Sequence, residues 1–243
     1  MKKNLLDLGA SFVGFSDVRS VLPEKLSTYH NAVTIGVKLL DAVIDEIDGM
    51  PTHTYFKHYR TVNALLDEIV LKGCMWLEAQ GYRAYPVAAS QSIDAYTGVF
   101  QHKTAACLAG LGFIGKSALF ISHAYGPRVR LATILTDAPL EWLDVEHDKD
   151  ECISTGNTCR CGDCRKCVEA CPAMAISGEM PMYEDGEIVR SRLYDAKACS
   201  DYMSMHFKEI GRGSVCGVCV RVCPFGGSGG SKRTIKSPAI TAK

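Results

Sequence analysis

The sequence has no apolar run that approaches the ~18 uncharged residues of a membrane-spanning helix, so none is expected in the chain. It also has no excess of either charge, since 27 Lys and Arg balance 27 Asp and Glu over 243 residues. That balance removes any global electrostatic pull toward nucleic acid or an anionic membrane. Cysteine is scarce in the first 151 residues, where only Cys74 and Cys107 occur. Both sit in segments of helical pattern and read as small buried hydrophobes. A composition of 47% hydrophobic and 22% charged residues, with a mean hydropathy of +0.02, is that of a globular protein. At about 150 residues per domain, the length allows one large domain or two modest ones.

Lys2 and Lys3 followed by Leu5, Leu6 and Leu8 imitate a secretion signal, but Asp7 interrupts the apolar run. The expectation is therefore a short amphipathic helix leading into a strand at Phe12–Phe15, in a cytoplasmic protein. In a reducing compartment, clustered thiols serve as metal ligands or redox groups rather than disulfides. Ten of the twelve cysteines lie between Cys152 and Cys223, which divides the chain into residues 1–149, a cysteine-rich module at 150–225, and a flexible Gly/Ser/Lys tail at 226–243.

The first segment alternates strand and helix signals. Ala32–Leu40 reads as a buried strand, Tyr55–Gln80 as a long helix stopped by Gly81, and Tyr82–Ala89 as a strand. Lys103–Ala109 follows as a helix, then Ala118–Ser122 and Val129–Thr136 as strands. The pattern predicts an α/β (α+β) layered domain built on a mixed sheet.

Gly110–Ser117 (GLGFIGKS) matches both GxGxxG, at Gly110, Gly112 and Gly115, and GxxxxGK[ST], ending in Lys116 and Ser117. Either pattern would hold phosphate on backbone amides, and Thr133–Asp137 (TILTD) imitates the magnesium-binding strand of a P-loop NTPase. A phosphate loop leaves a strand and opens a helix, whereas this one follows a helical pattern and precedes a strand-like one. A tight glycine turn is the plain alternative.

Cys161, Cys164, Cys167 and Cys171, followed by Pro172, spell the CxxCxxCxxxCP run of bacterial 4Fe-4S ferredoxins. A second run, Cys216, Cys219 and Cys223 before Pro224, lacks its first cysteine, whose place Gly213 takes; Cys199 is the replacement within reach. In such two-cluster runs the last cysteine ligates the other cluster. That rule assigns Cys161, Cys164, Cys167 and Cys223 to a first 4Fe-4S cluster, and Cys171, Cys199, Cys216 and Cys219 to a second. Paired CxxC motifs also build zinc sites, but those do not call for CxxCxxC register followed twice by CP. Cys152 and Cys159 are surplus to eight: Cys159 could replace Cys161 as a ligand, or both are free thiols. A plain ferredoxin needs only this module, so the α/β domain implies a second site.

His102–Ile121, Arg130–Asp137, Cys161–Ile176, the DAKACSDYM stretch around Cys199, and Cys216–Phe225 together resemble epoxyqueuosine reductase and its shorter relatives, over roughly residues 80–225. The resemblance implies a cobalamin-binding domain akin to that of reductive dehalogenases, joined to a ferredoxin-like module with two 4Fe-4S clusters. Electrons from an external donor such as ferredoxin or flavodoxin would pass through the clusters to cobalamin, which acts on the substrate. On this reading Gly110, Gly112 and Gly115 let the backbone approach the corrinoid, and His102 and Lys116 contact its side groups. The chain departs from the family at Pro86–Ser92, where Ala89 stands at about the place of the acidic residue that protonates the substrate, Asp94 being out of register. It also ends without the helical extension that helps full-length enzymes hold tRNA, so a small-molecule substrate is expected. The competing functions are an accessory ferredoxin-type carrier without its own corrinoid, and an ATP-binding iron-sulfur protein that uses GLGFIGKS.

Overall fold

A computed structural model describes residues 1–94, 96–139, 159–184 and 187–226. The elements of the first segment are α1 (Lys2–Asp7), β1 (Phe12–Asp17), β2 (Asn31–Lys38), α2 (Asp41–Asp45), α3 (His53–Ala79), β3 (Ala84–Val87), α4 (His102–Leu108), β4 (Gly112–Ile114), β5 (Phe120–Ser122) and β6 (Val129–Thr136). The module contributes α5 (Lys166–Glu169), β7 (Tyr183–Glu184), β8 (Glu187–Ile188), α6 (Arg190–Leu193), α7 (Ala196–His206) and α8 (Val218–Arg221).

The main sheet has the order β1-β2-β6-β3. All three pairings are antiparallel, which corrects the mixed sheet expected from the alternation. The alternation itself was informative: β2, α3 and β3 form a strand–helix–strand unit whose two strands run parallel. The late strand β6 wedges between them and pairs antiparallel with both, so the parallel strands never touch.

Pleating sends neighbouring residues of each strand to opposite faces, and each face takes one helix. Val33 and Ile35 of β2 and Ala132 and Ile134 of β6 pack under α3 through Leu66, Ile69 and Val70. Ala32 and Leu135 pack on the other side with Ala105 of α4. Covering both faces explains the unbroken apolar runs of β2 and β6. Thr52 starts α3 by accepting a hydrogen bond on its hydroxyl from Tyr55 N at 3.0 Å. Cys74 and Cys107 are buried, as expected.

The module is not a separate bead. Ile210, Val215, Val218 and Val220 join the core under α3, while Ile188 and Leu193 join Ala106, Ile114 and Phe120 in a second cluster. The expected boundary near residue 150, Cys152 and all of the tail beyond Gly226 lie outside the described residues.

Candidate iron-sulfur and reductase site

The CxxC–helix–CP unit occurs twice, around α5 and around α8, and the two short helices pack against each other. This pairing crosses the last cysteine of each run to the other's loop. The Cys223 thiol feels Cys161, Cys167 and Cys164, and burial pushes it up to about 12. Burial raises Cys219, which feels Cys216, Cys199 and Cys171 and, least of the four, Cys167 of the other set. Cys171, Cys199, Cys216 and Cys219 line one cavity of about 310 Å³. Among the described residues no three His, Cys, Asp or Glu side chains converge on a single ion position. Four sulfurs spread around a cavity suit a polynuclear cluster better than the single tetrahedral ion of a zinc site. Cys159 donates to Cys161, and that hydrogen bond holds the Cys161 thiol below its ordinary value.

The same cavity is walled by three cations, Lys103, Arg130 and Arg190, and by Tyr55, Tyr59 and Tyr194. The Lys103 ammonium donates to Ala118 O at 2.6 Å, and burial, then Arg190, lowers it to about 8. Arg190 donates to Tyr96 O at 2.7 Å and to the Tyr194 hydroxyl at 3.4 Å. Its Nε is buried with no partner among the described residues. A donor in that position suits a sulfur-rich anionic group in the cavity, so the residues present fit a cluster.

A groove of about 930 Å³ opens beside the cavity, and Tyr59 and Ser214 line both. Arg130 Nη2 donates to the Tyr59 hydroxyl at 3.1 Å and to Ala89 O at 3.1 Å, while its Nε donates to Asn63 at 2.9 Å. The guanidinium lies 4.4 Å from the Tyr59 ring centre. Burial pushes the Tyr59 hydroxyl up, but Arg130 and hydrogen bonds with Ser90 and Asn63 outweigh it and hold the group below its ordinary value. The sequence reading missed Tyr59 and the three cations. A single tyrosine on an amphipathic helix reads as core, although Tyr59, Asn63 and Asp67, four residues apart, draw a polar stripe on α3.

The five residues expected at a corrinoid line neither space and have other work. His102 Nε2 donates to Ala88 O at 3.0 Å, so its Nδ1 accepts from the Thr133 hydroxyl at 2.8 Å, and burial lowers the ring to about 4. Both nitrogens are thereby used. Gly110, at φ +66°, ends α4. A Cβ on Gly112 would lie 2.1 Å from Ile121 O across the β4–β5 hairpin, and one on Gly115 would lie 3.4 Å from Cys161 Sγ. Lys116 is buried and donates to Gly162 O at 2.6 Å and Cys164 O at 3.5 Å. GLGFIGKS thus contains strand β4 and turns into β5, with no helix after Ser117, which removes the geometry of a phosphate loop. Its hairpin instead supports the first cysteine set, since Phe113 and Ile121 pack with Cys223 and Cys161.

Residues 160–226 match the family described as a 4Fe-4S double cluster binding domain. The tetrachloroethene reductive dehalogenase of Sulfurospirillum multivorans is 32% identical over 152 residues, which cover 63% of this chain and 27% of that protein. The epoxyqueuosine reductase of Gloeobacter violaceus is 27% identical over 220 residues, covering 86% of this chain and 59% of the relative. The chain is related to both of these enzyme groups. A catabolic reductive dehalogenase solved in complex with 3-bromo-4-hydroxybenzoic acid superimposes with a TM-score of 0.67 at 22% identity, over 90% of this chain and 31% of that one. An epoxyqueuosine reductase gives 0.54 at 19% identity, over 92% and 64%. Residues 160–226 thus make up a module for two 4Fe-4S clusters, and the chain spans about a quarter to two thirds of the length of these relatives. Among its described residues no helix is long and apolar enough to cross a membrane.

Proposed function

We propose that this chain is a cobalamin-dependent reductase of small molecules in which the Tyr59 hydroxyl replaces the missing acidic residue as proton donor. When bound, the clusters supply single electrons and the corrinoid supplies the cobalt centre that acts on the substrate. The crossed sets Cys161, Cys164, Cys167, Cys223 and Cys171, Cys199, Cys216, Cys219 would hold the clusters, and the groove beside the second set has room for a large planar group.

The observation that carries the reading is the position of Tyr59. Its hydroxyl lies 3.2 Å from Ser90 Oγ and receives Arg130, which also grips Ala89 O, so the phenol lies beside the stretch to which the resemblance assigns the acidic residue. Tyr59 Oη would hold the proton at the junction of groove and cavity. Arg130 would stabilise the phenolate left when the proton departs. Ala88 and Ala89 make the wall: His102 fixes Ala88 O, and Asp67 accepts from Ala89 N at 2.9 Å. The lack of net charge and a groove rather than a broad basic face favour a small substrate over tRNA. Electrons would come from a ferredoxin- or flavodoxin-type donor.

Protein purified without oxygen, incubated with hydroxocobalamin and desalted, should retain about eight irons and one cobalt per chain. Eight irons without cobalt would leave an accessory electron carrier in its place. Tyr59→Phe should keep both metals and lower the reduction of probe substrates, tetrachloroethene and a small epoxide, by about 100-fold or more. Unchanged rates would remove Tyr59 from the chemistry.

A further inference from the structure

We propose that Arg190, Lys103 and Arg130 form a cationic collar around the second cluster, with Arg190 Nε donating to one of its sulfurs, and that the collar sets this cluster's reduction potential above that of the first.

Three cations line a cavity whose lining, among the described residues, includes no Asp or Glu. Among the described residues their hydrogen-bond partners are neutral: Ala118 O for Lys103, Asn63, Tyr59 and Ala89 O for Arg130, Tyr96 O and the Tyr194 hydroxyl for Arg190. Cations gathered at a protein cavity without counter-charge are costly, so this arrangement calls for an anion inside. Four thiolates around an iron-sulfur core leave that site net negative. An added electron makes it more negative still, so nearby cations favour the reduced form, as do hydrogen bonds to sulfur. Of the three cations, Arg190 has a buried donor, Nε, with no acceptor among the described residues.

The first cysteine set has a different setting. The buried cation beside it is Lys116, whose donors are directed at the carbonyls of Gly162 and Cys164. Arg160, Arg165 and Lys166 of the first loop are exposed, where solvent screens them, so the cations withdrawn from solvent concentrate on the cluster that adjoins the groove.

The inference rests on the cluster assignment but not on corrinoid binding, because potentials can be read on corrinoid-free holoprotein. The experiment is a potentiometric EPR titration, with dithionite as the one-electron donor, of wild type, Arg190→Gln, Arg190→Lys and Lys103→Met, alongside iron analysis. Cys199→Ser, which alters only the second set, assigns the signals. Arg190→Gln and Lys103→Met should shift only the second cluster's signal to lower potential, with its reduced-to-oxidised ratio falling about tenfold at fixed potential, which is about 59 mV for one electron. Arg190→Lys, keeping the charge but not the Nε donor, should shift it less. Signals at wild-type positions in both variants with iron retained, or equal shifts of both signals, would overturn the collar. If Arg190→Gln loses iron, Lys103→Met decides on its own. Wild type with fewer than about eight irons would instead defeat the cluster reading beneath it.

Discussion

His102 illustrates how a residue that reads as a ligand becomes a fixture. Its Nε2 proton is committed to Ala88 O and its Nδ1 lone pair to Thr133, so only the neutral ring satisfies both, and burial lowers its pKa from 6.5 to about 4. Below its ordinary pKa the unfolded chain takes up a proton that the folded chain refuses. The stability this histidine contributes is thus complete above about pH 6.5 and is lost as pH falls toward 4, roughly 3 kcal/mol in all. Denaturant midpoints measured from pH 7.5 to pH 4.5 should therefore fall less steeply in His102→Gln than in wild type. Equal slopes would show that the ring is not held neutral. The sequence could not distinguish this role from a cofactor contact, because histidine next to lysine before a glycine turn carries no sign of which neighbours will enclose it.

Elements differed in how far their residues announced them. The helix α3 and the strands β2 and β6 were legible because burial on one or both faces enforces a period or an unbroken run over eight residues or more. The three-residue strand β4 was hidden, since its start at Gly112 belongs to a string of glycines that resembles a loop. What makes it a strand is pairing with β5, and what gives the hairpin its use is contact with cysteines some 40 to 110 positions later. Lys116 completes that contact. Lys116→Met should leave two loop carbonyls unpaired, at about 1–3 kcal/mol, and release the first cluster selectively. Iron analysis after exposure to a chelator should show about four irons where wild type keeps about eight; equal retention would mean that the loop needs no anchor. The cysteine module, by contrast, was legible from its spacing, because ligation of a cubane from one loop leaves little freedom in register, and residues 160–226 match a 4Fe-4S double cluster binding domain.

Across the whole molecule, composition suggested two domains, while packing ties the described parts together. Ile210 and Val218 of the cysteine module share a core with Leu66 and Ile134 of the α/β layer. Apolar residues at the junction had no means of declaring, in sequence alone, which side they would bury against. Ile210→Ala should cost about 2–4 kcal/mol. It should also lower the midpoints for loss of visible cluster absorbance and of far-ultraviolet circular dichroism together. Loss of the clusters at an unchanged sheet midpoint would indicate two independent units.

The wedge of β6 between β2 and β3 also has a consequence for how the chain is made. Residues 129–136 supply the one strand to which both β2 and β3 bond. On a ribosome, β1, β2 and α3 emerge well before it. The nascent chain must therefore carry an open strand edge and an uncovered apolar helix face through the synthesis of some 50 further residues after α3 ends at Ala79. The main sheet closes only when its middle arrives, which makes that interval of translation the period of greatest exposure to aggregation.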